Sequence, residues 1–193
     1  AYRGAAPAQR ALHNGETITG VSVFQLDKGM DTGPVFTQES IYIDPSWRSM
    51  ELLEHLAALG PEVVKRSFEM IVSGQDPHEQ VGASSIAPKI SKADAKIDFS
   101  LDTKQISNAI RAFTYEPGAW TIWRDEPFKV CAAEISDAVV GNPGEVFVIE
   151  KSVYVATGST SLELLRVIPA GKKEMDAIDW ARGARLTGGE IFG

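Results

Sequence analysis

The feature that most constrains this chain is a stretch near its middle that has no apolar periodicity. Residues 73–90 (SGQDPHEQVGASSIAPKI) are rich in glycine, proline and serine, and they follow neither the period of an amphipathic helix nor the alternation of a strand. Because such a stretch contributes little to a core, the 193 residues should divide into two smaller domains around it. We predict a first domain over 1–75, a linker over 76–95 and a second domain over 96–193.

The residues before this stretch indicate alternating helices and strands. Their apolar spacing predicts a helix over 7–14, strands over 18–26 and 34–43, and then a helical hairpin that Gly60-Pro61 divides. The chain opens at Ala1, without Met, inside a segment of small residues. We therefore expect the later part of an α/β unit that lacks its opening strands.

The residues after the stretch change to short runs of β-forming residues. A helix over 102–113 comes first, with Asp102 as its N-cap, and the strand-like runs that follow are separated by turn residues. These runs cover 119–124, 128–135, 144–149, 152–157 and 162–168. Several short strands at such spacing are typical of a small barrel. The predicted fold class is therefore α/β followed by β.

The net charge of −7 argues against a generally basic nucleic-acid-binding protein. The excess of acidic residues lies mainly in the first half, with 6 basic and 11 acidic residues before position 88 and 13 and 15 after it. A nearly neutral second half can still gather several positive charges on one face, which is what phosphate contacts require.

Three other classes of protein are disfavoured. No apolar run approaches the roughly 20 residues that a membrane-spanning helix requires. The three histidines and the single cysteine, Cys131, have no metal-ligand spacing, so we expect no metal site. Because Cys131 cannot form an internal disulfide, it favours a reducing compartment such as the cytoplasm.

The loop between the first two predicted strands is the strongest candidate for chemistry. It carries Asp27 and Asp31 beside Gly29 and Gly33, so the backbone can approach a ligand closely and a carboxylate can be aimed into a cleft. Aspartates at such positions also commonly bond the backbone of their own turn. From the residues alone, both interpretations stay open.

Motifs spread over the whole chain resemble one family. In order they are 3–7 (RGAAP), 20–21 (GV), 26–33 (LDKGMDTG), 87–90 (APKI), 97–100 (IDFS), Arg111, 117–121 (PGAWT), 183–186 (GARL) and 189–193 (GEIFG). This set resembles the methionyl-tRNA formyltransferase family. The resemblance implies the C-terminal part of a Rossmann-like formyltransferase domain, followed by an OB-like β-barrel domain that helps to hold tRNA.

The resemblance also implies a reaction and its residues. A formyl group would pass from the co-substrate 10-formyltetrahydrofolate to the amino group of methionine on initiator tRNA, without a metal. In the family an asparagine, a histidine and an aspartate surround the formyl carbon, and the motif assigns Asp31 as that aspartate. The folate-binding residues implied in the same loop are Leu26, Asp27, Lys28 and Met30.

Basic side chains are candidates for tRNA contacts. They are Arg3, Lys89, Lys92, Arg111, Lys172, Lys173, Arg182 and Arg185. Each of them can equally be a solvated surface residue, since scattered lysine and arginine are mostly exposed. Trp120, Trp123 and Trp180 can stack on bases, but we expect them in the core.

This sequence departs from the family pattern at one point. The asparagine, the histidine and the Ser-Leu-Leu-Pro segment that precede RGAAP in the family are absent, and none of the three histidines stands at the matching position. We therefore expect that these 193 residues alone do not transfer formyl groups. We expect a cytoplasmic monomer.

Other readings of the same motifs remain. They are the hydrolase domain of a formyltetrahydrofolate dehydrogenase, an amino-sugar N-formyltransferase and a non-catalytic RNA-binding fragment. Glycinamide ribonucleotide formyltransferases fit less well, because they have no such second domain.

Overall fold

The chain folds as two units, Ala1–Lys89 and Ile90–Gly193, in a computed structural model that describes residues 1–114, 116–186 and 189–193. The elements of the first unit are α1 (Pro7–His13), β1 (Ile18–Phe24), β2 (Val35–Tyr42) and α2 (Ser49–Val72). β1 and β2 form an antiparallel strand pair in which Ile18 lies opposite Tyr42 and Phe24 opposite Val35. Residues 25–34 therefore form the loop at one end of this pair.

Helix α2 continues through Pro61, so the predicted helical hairpin is wrong. Pro61 cannot donate a backbone hydrogen bond to the carbonyl of Ala57, which weakens a helix but does not by itself force a turn. The residues beyond it remain packed on the strand pair. Val63 is buried, and its carbonyl accepts a hydrogen bond from the Thr37 hydroxyl of β2 at 2.9 Å. Packing against the sheet thus outweighs the local break.

The glycine-, proline- and serine-rich segment returns along the first unit. His78 exchanges two backbone hydrogen bonds with Val35, at 2.8 and 2.9 Å. Further along, the Arg3 amide donates to the Ser85 carbonyl at 2.8 Å, and the Arg3 carbonyl accepts from the Ala87 amide at 2.7 Å. We call residues 78–87 the strap, because backbone bonds attach both of its ends to the first unit.

The second unit is a helix followed by an antiparallel sheet. Its elements are α3 (Thr103–Phe113), β3 (Trp120–Trp123), β4 (Glu126–Ser136), β5 (Val146–Ile149), β6 (Ser152–Ala156), β7 (Ser161–Ile168), β8 (Met175–Asp176) and α4 (Ala177–Ala184). The strand order is β3-β4-β7-β6-β5, with β8 paired to β7. Asp102 caps α3 as predicted, accepting a hydrogen bond from the Lys104 amide at 2.9 Å. Helix α4 was not predicted, because eight residues are too few for a clear helical period.

The predicted OB-like barrel is not confirmed. Among the described residues, the edge strands β3 and β5 do not pair with each other. The last residues of the chain touch both edges: Val146 of β5 donates its amide to the Glu190 carbonyl at 2.8 Å, and the Gly193 amide donates to Ile122 of β3 at 3.1 Å. Contact between the two edges is thus indirect.

An aromatic cluster fills the core of the second unit. The ring of Phe128 lies 4.5 Å from that of Trp180 and 5.0 Å from that of Phe192, measured between centroids. Trp180 is only 4% exposed, so its indole is part of the core. In the part of the chain that the structure describes, no helix has both the length and the apolar character needed to cross a membrane.

Replacing Pro61 by alanine tests whether α2 is one helix. Pro61→Ala restores a backbone donor, so we expect the free energy of unfolding to rise by about 1–3 kcal/mol, the cost of proline inside a helix less its effect on the unfolded chain. Urea unfolding followed by circular dichroism measures this change. Pro45→Ala, in the turn before α2, is the control and should bring no such gain. A loss of stability in Pro61→Ala would contradict the continuous helix and favour a turn.

Candidate functional site

A cleft of about 390 Å³ lies in the first unit, at the loop end of the strand pair. Parts of the chain that are distant in sequence line it, namely residues 1–7, the two strands, Asp31 and residues 78–81. Asp31 brings a carboxylate to this lining, and Arg3 brings a guanidinium. The cleft thus combines opposite charges on segments that the fold brings together.

Asp31 is fixed through both its side chain and its backbone. Its Oδ2 accepts a hydrogen bond from the Gly4 amide at 2.8 Å, and its carbonyl accepts one from the Gln80 side chain at 2.9 Å. The φ angle of Asp31 is +52°, a left-handed conformation that aspartate tolerates better than most residues. The carboxylate therefore has one defined place in the lining.

Two glycines allow the chain segments around Asp31 to approach closely. Gly4 has a φ of +128°, and a Cβ there would lie 2.8 Å from the Ala87 carbonyl oxygen. A Cβ on Gly33 would lie 1.7 Å from the carbonyl oxygen of Gln25, across the base of the loop. Any side chain at either position would push the loop or the N-terminal segment away.

The residues expected to bind folate lie outside the lining of this cleft. The Asp27 carboxylate accepts hydrogen bonds from the Gly29 amide at 2.9 Å and the Thr32 hydroxyl at 2.7 Å, so it does stabilise its own turn. Leu26 is 85% exposed and Met30 62%, and Lys28 is exposed as well. The loop therefore presents these three side chains to solvent while Asp31 faces other segments of the first unit.

Arg3 joins the N-terminal segment to the strap. One of its terminal nitrogens, Nη2, donates to Gln80 Oε1 at 2.7 Å, and its Nε is buried without a partner among the described residues. Its neighbour Tyr2 has a raised pKa, first because of burial and second because its hydroxyl donates a hydrogen bond to Glu16 at 2.6 Å. The Tyr2 hydroxyl proton is therefore committed to Glu16.

Gln80 and His78 line the cleft, although no sequence motif predicts either of them as a site residue. Both lie in the segment whose composition indicates a linker. No local motif signals their position, because it results from the pairing of the strap with Val35 and Arg3. Only the tertiary structure brings them beside Asp31.

The candidate basic residues occupy separate places in the two units. Lys89 is exposed at the end of the first unit, and Arg111 lies half-buried in the last turn of α3. Lys92 lies over the ring of Trp120, with Nζ 5.1 Å from the ring centroid. Lys172 and Lys173 are exposed in the turn before β8.

The remaining basic candidates, Arg182 and Arg185, lie at the C-terminal end of α4. Arg182 is paired with Asp179 at 3.3 Å, and Arg185 is the exposed C-cap residue. Asp179 and Lys172 line the same cleft of about 600 Å³, together with Trp123 and Trp180. This second cleft brings side chains of both charges, Lys172 and Asp179 among them, beside two indole rings within the second unit.

No group of histidine, cysteine and acidic side chains suited to a metal ion occurs within the described ranges. The free thiol of Cys131 is buried. The carboxylate and the guanidinium that line the first cleft can orient a polar ligand, and the carboxylate can stabilise a positive charge.

Two protein families match the chain. Residues 1–67 match formyl transferase, and residues 89–185 match formyl transferase, C-terminal domain. A methionyl-tRNA formyltransferase of Renibacterium salmoninarum is 43% identical over 195 residues, which are 100% of this chain and 64% of that protein. The family resemblance inferred from the motifs is confirmed, and the chain spans less than two thirds of this curated relative.

Two solved structures share the fold at low sequence identity. HypX from Aquifex aeolicus in complex with tetrahydrofolic acid has a TM-score of 0.71 at 19% identity, covering 93% of this chain and 32% of that one. An N-formyltransferase from Helicobacter canadensis in complex with folinic acid and dTDP-3-aminofucose has a TM-score of 0.68 at 21% identity, covering 84% and 61%. The chain therefore has a formyltransferase fold with a C-terminal domain.

Proposed function

The chain belongs to the formyl transferase family, and we propose that it serves the transfer of a formyl group from 10-formyltetrahydrofolate to the amino group of methionine on initiator tRNA. The observation that carries this proposal is the Asp31 carboxylate, which lines a cleft and is held there by the Gly4 amide. Both residues belong to motifs that resemble the family. The 43% identity with the Renibacterium salmoninarum protein supports tRNA as the acceptor.

The proposed reaction begins with attack of the methionine amine on the formyl carbon. Negative charge then develops on the formyl oxygen, where hydrogen-bond donors stabilise it, and the tetrahedral intermediate releases tetrahydrofolate. The attacking amine loses a proton and the departing nitrogen of tetrahydrofolate gains one. In the family a histidine that this chain does not hold carries this proton, and the Asp31 carboxylate would orient that histidine and stabilise its positive charge. Because no histidine of this chain stands at the matching position, we expect the 193 residues to be inactive by themselves.

In this proposal the loop that carries Asp31 also contacts the folate. Leu26, Lys28 and Met30 are exposed and available to a ligand, and the turn that Asp27 stabilises gives the loop a defined backbone for the pterin ring. The HypX structure is a complex with tetrahydrofolic acid and the Helicobacter canadensis structure a complex with folinic acid, which supports a formyl-folate co-substrate here.

The domain organisation is part of the proposal. Residues 1–75 form the remainder of a Rossmann-like catalytic domain, and residues 96–193 form an OB-like domain that binds tRNA. Residues 76–95 are the linker between these two domains. The bonds from residues 190–193 to both edges of the second sheet support a barrel-like arrangement. A cytoplasmic location is part of the proposal, since the buried free Cys131 suits a reducing compartment, and a monomer fits the family.

The proposed activity is tested with a chimera in which these 193 residues replace the matching part of the Renibacterium salmoninarum protein. We expect the chimera to formylate methionyl initiator tRNA. Asp31→Asn should lower kcat about 10²–10⁴-fold, because a neutral amide cannot stabilise a protonated histidine. Asp44→Asn removes the same charge in the turn before α2 and should leave kcat unchanged.

The acceptor separates the alternative functions. The same chimera is assayed with three formyl acceptors, namely methionyl initiator tRNA, an amino-sugar nucleotide and water. We expect only the tRNA to accept the formyl group. Formylation of the sugar nucleotide, or hydrolysis in place of transfer, would contradict the proposal. Turnover by the isolated 193-residue chain that depends on Asp31 would contradict the expectation that it is inactive alone.

Electrostatic contacts with tRNA form a separate prediction. The proposed contacts are Arg3, Lys89, Lys92, Arg111, Lys172, Lys173, Arg182 and Arg185. Replacing both Lys172 and Lys173 by alanine should reduce the slope of log affinity against log salt by about 2, one for each lost phosphate contact. Lys151→Ala, in the turn between β5 and β6, is the control. Binding that is insensitive to ionic strength would argue against a basic tRNA-binding face.

A further inference from the structure

The Gln80 side chain makes three hydrogen bonds, two to the loop that carries Asp31 and one to Arg3 of the N-terminal segment. Its Nε2 donates to the carbonyl of Asp31 at 2.9 Å and to the carbonyl of Gly33 at 2.7 Å. Its Oε1 accepts from Arg3 Nη2 at 2.7 Å. A primary amide has two donors on nitrogen and an acceptor on oxygen, so this one group matches all three partners.

We propose that Gln80 is a positioning residue for Asp31. The two carbonyls that it binds lie on either side of Thr32, so the bonds hold the turn that follows the left-handed backbone of Asp31. The proposal rests on the proposed function only in regarding the Asp31 carboxylate as catalytic. Whatever the reaction, the position of the Asp31 carboxylate depends on Gln80.

Gln80 binds the backbone of Asp31 and, through Arg3, the segment whose Gly4 amide donates to the Asp31 carboxylate. Gly4, whose amide binds Asp31 Oδ2, directly follows Arg3 in the chain. By binding Arg3 through its oxygen and the loop through its nitrogen, Gln80 ties the segment that donates this bond to the segment that accepts it. Loss of Gln80 should therefore loosen the bond between Gly4 and Asp31 from both sides.

The strap fixes Gln80 itself. His78, two residues before it, is bound to Val35 by two backbone hydrogen bonds. Ser85 and Ala87, beyond it, are bound to the backbone of Arg3. Because both ends of the strap are attached, the Gln80 backbone is held and its side chain can act as a rigid support.

The test is amide hydrogen exchange in the 193-residue chain, followed by NMR. In Gln80→Ala the Gly4 amide should exchange about tenfold faster, which corresponds to about 1.4 kcal/mol. The amide of Leu12, buried in α1, should keep its rate. Gln75→Ala removes an exposed glutamine from the same segment and is the matched control.

Gln80→Glu distinguishes the bonds that the side chain donates to the loop from the bond that it accepts from Arg3. A carboxylate can still accept a hydrogen bond from Arg3, but it cannot donate to the carbonyls of Asp31 and Gly33. We therefore expect Gln80→Glu to resemble Gln80→Ala. Protection of the Gly4 amide as in the unmodified chain would overturn the proposal, because Gln80 would then act through Arg3 alone.

The carboxyl ¹³C resonance provides a signature that a general loss of stability would not give. At neutral pH the Asp31 resonance should shift in Gln80→Ala, while that of Asp27, which is bound within its own turn, should not. An unchanged Asp31 resonance, or equal acceleration of the Gly4 and Leu12 amides, would overturn the positioning role. If exchange behaves as expected but the chimera does not transfer formyl groups, only the proposed function fails.

Discussion

The hydrogen bond from the Gly4 amide to the Asp31 carboxylate joins segments 27 residues apart, and both residues line the same cleft of the first unit. The bond requires glycine at position 4, because the backbone there has a φ of +128° and a Cβ would lie 2.8 Å from the Ala87 carbonyl oxygen. The strap supplies that carbonyl. The N-terminal segment, the loop and the strap are therefore mutually dependent, and none of them alone would place the carboxylate.

The second unit depends on a different interaction, the packing of its aromatic rings. Phe192 is buried against Phe128 and Trp180, although it is followed by only one residue of this chain. The backbone on either side of it binds both edges of the sheet, through the Glu190 carbonyl and the Gly193 amide. The GEIFG motif at residues 189–193 therefore has a structural explanation, since it packs the core and connects the sheet edges.

The sequence predicts features that depend on neighbouring residues. The strands on either side of residues 25–34, the turn that Asp27 stabilises and the Asp102 cap all follow from local patterns, and the structure contains each of them. The prediction failed at Pro61, where a local rule indicated a turn but packing of Val63 on β2 keeps the helix continuous. Gln80 was not predicted because its role comes from contacts with Arg3 and Asp31, far away in the chain. A composition that indicates a linker says nothing about such contacts.

In the proposed function the loop that carries Asp31, residues 25–34, contacts the formyl-folate. Hydrogen–deuterium exchange of the chimera, with and without folinic acid, measures this contact by mass spectrometry without requiring turnover. We expect slower exchange in peptides that cover residues 1–7, which line the cleft, and residues 25–34, which bring Asp31 to it and expose Leu26 and Met30 in the same loop. Slower exchange only in the second unit, around Trp123 and Trp180, or no change at residues 25–34, would contradict the proposed contact.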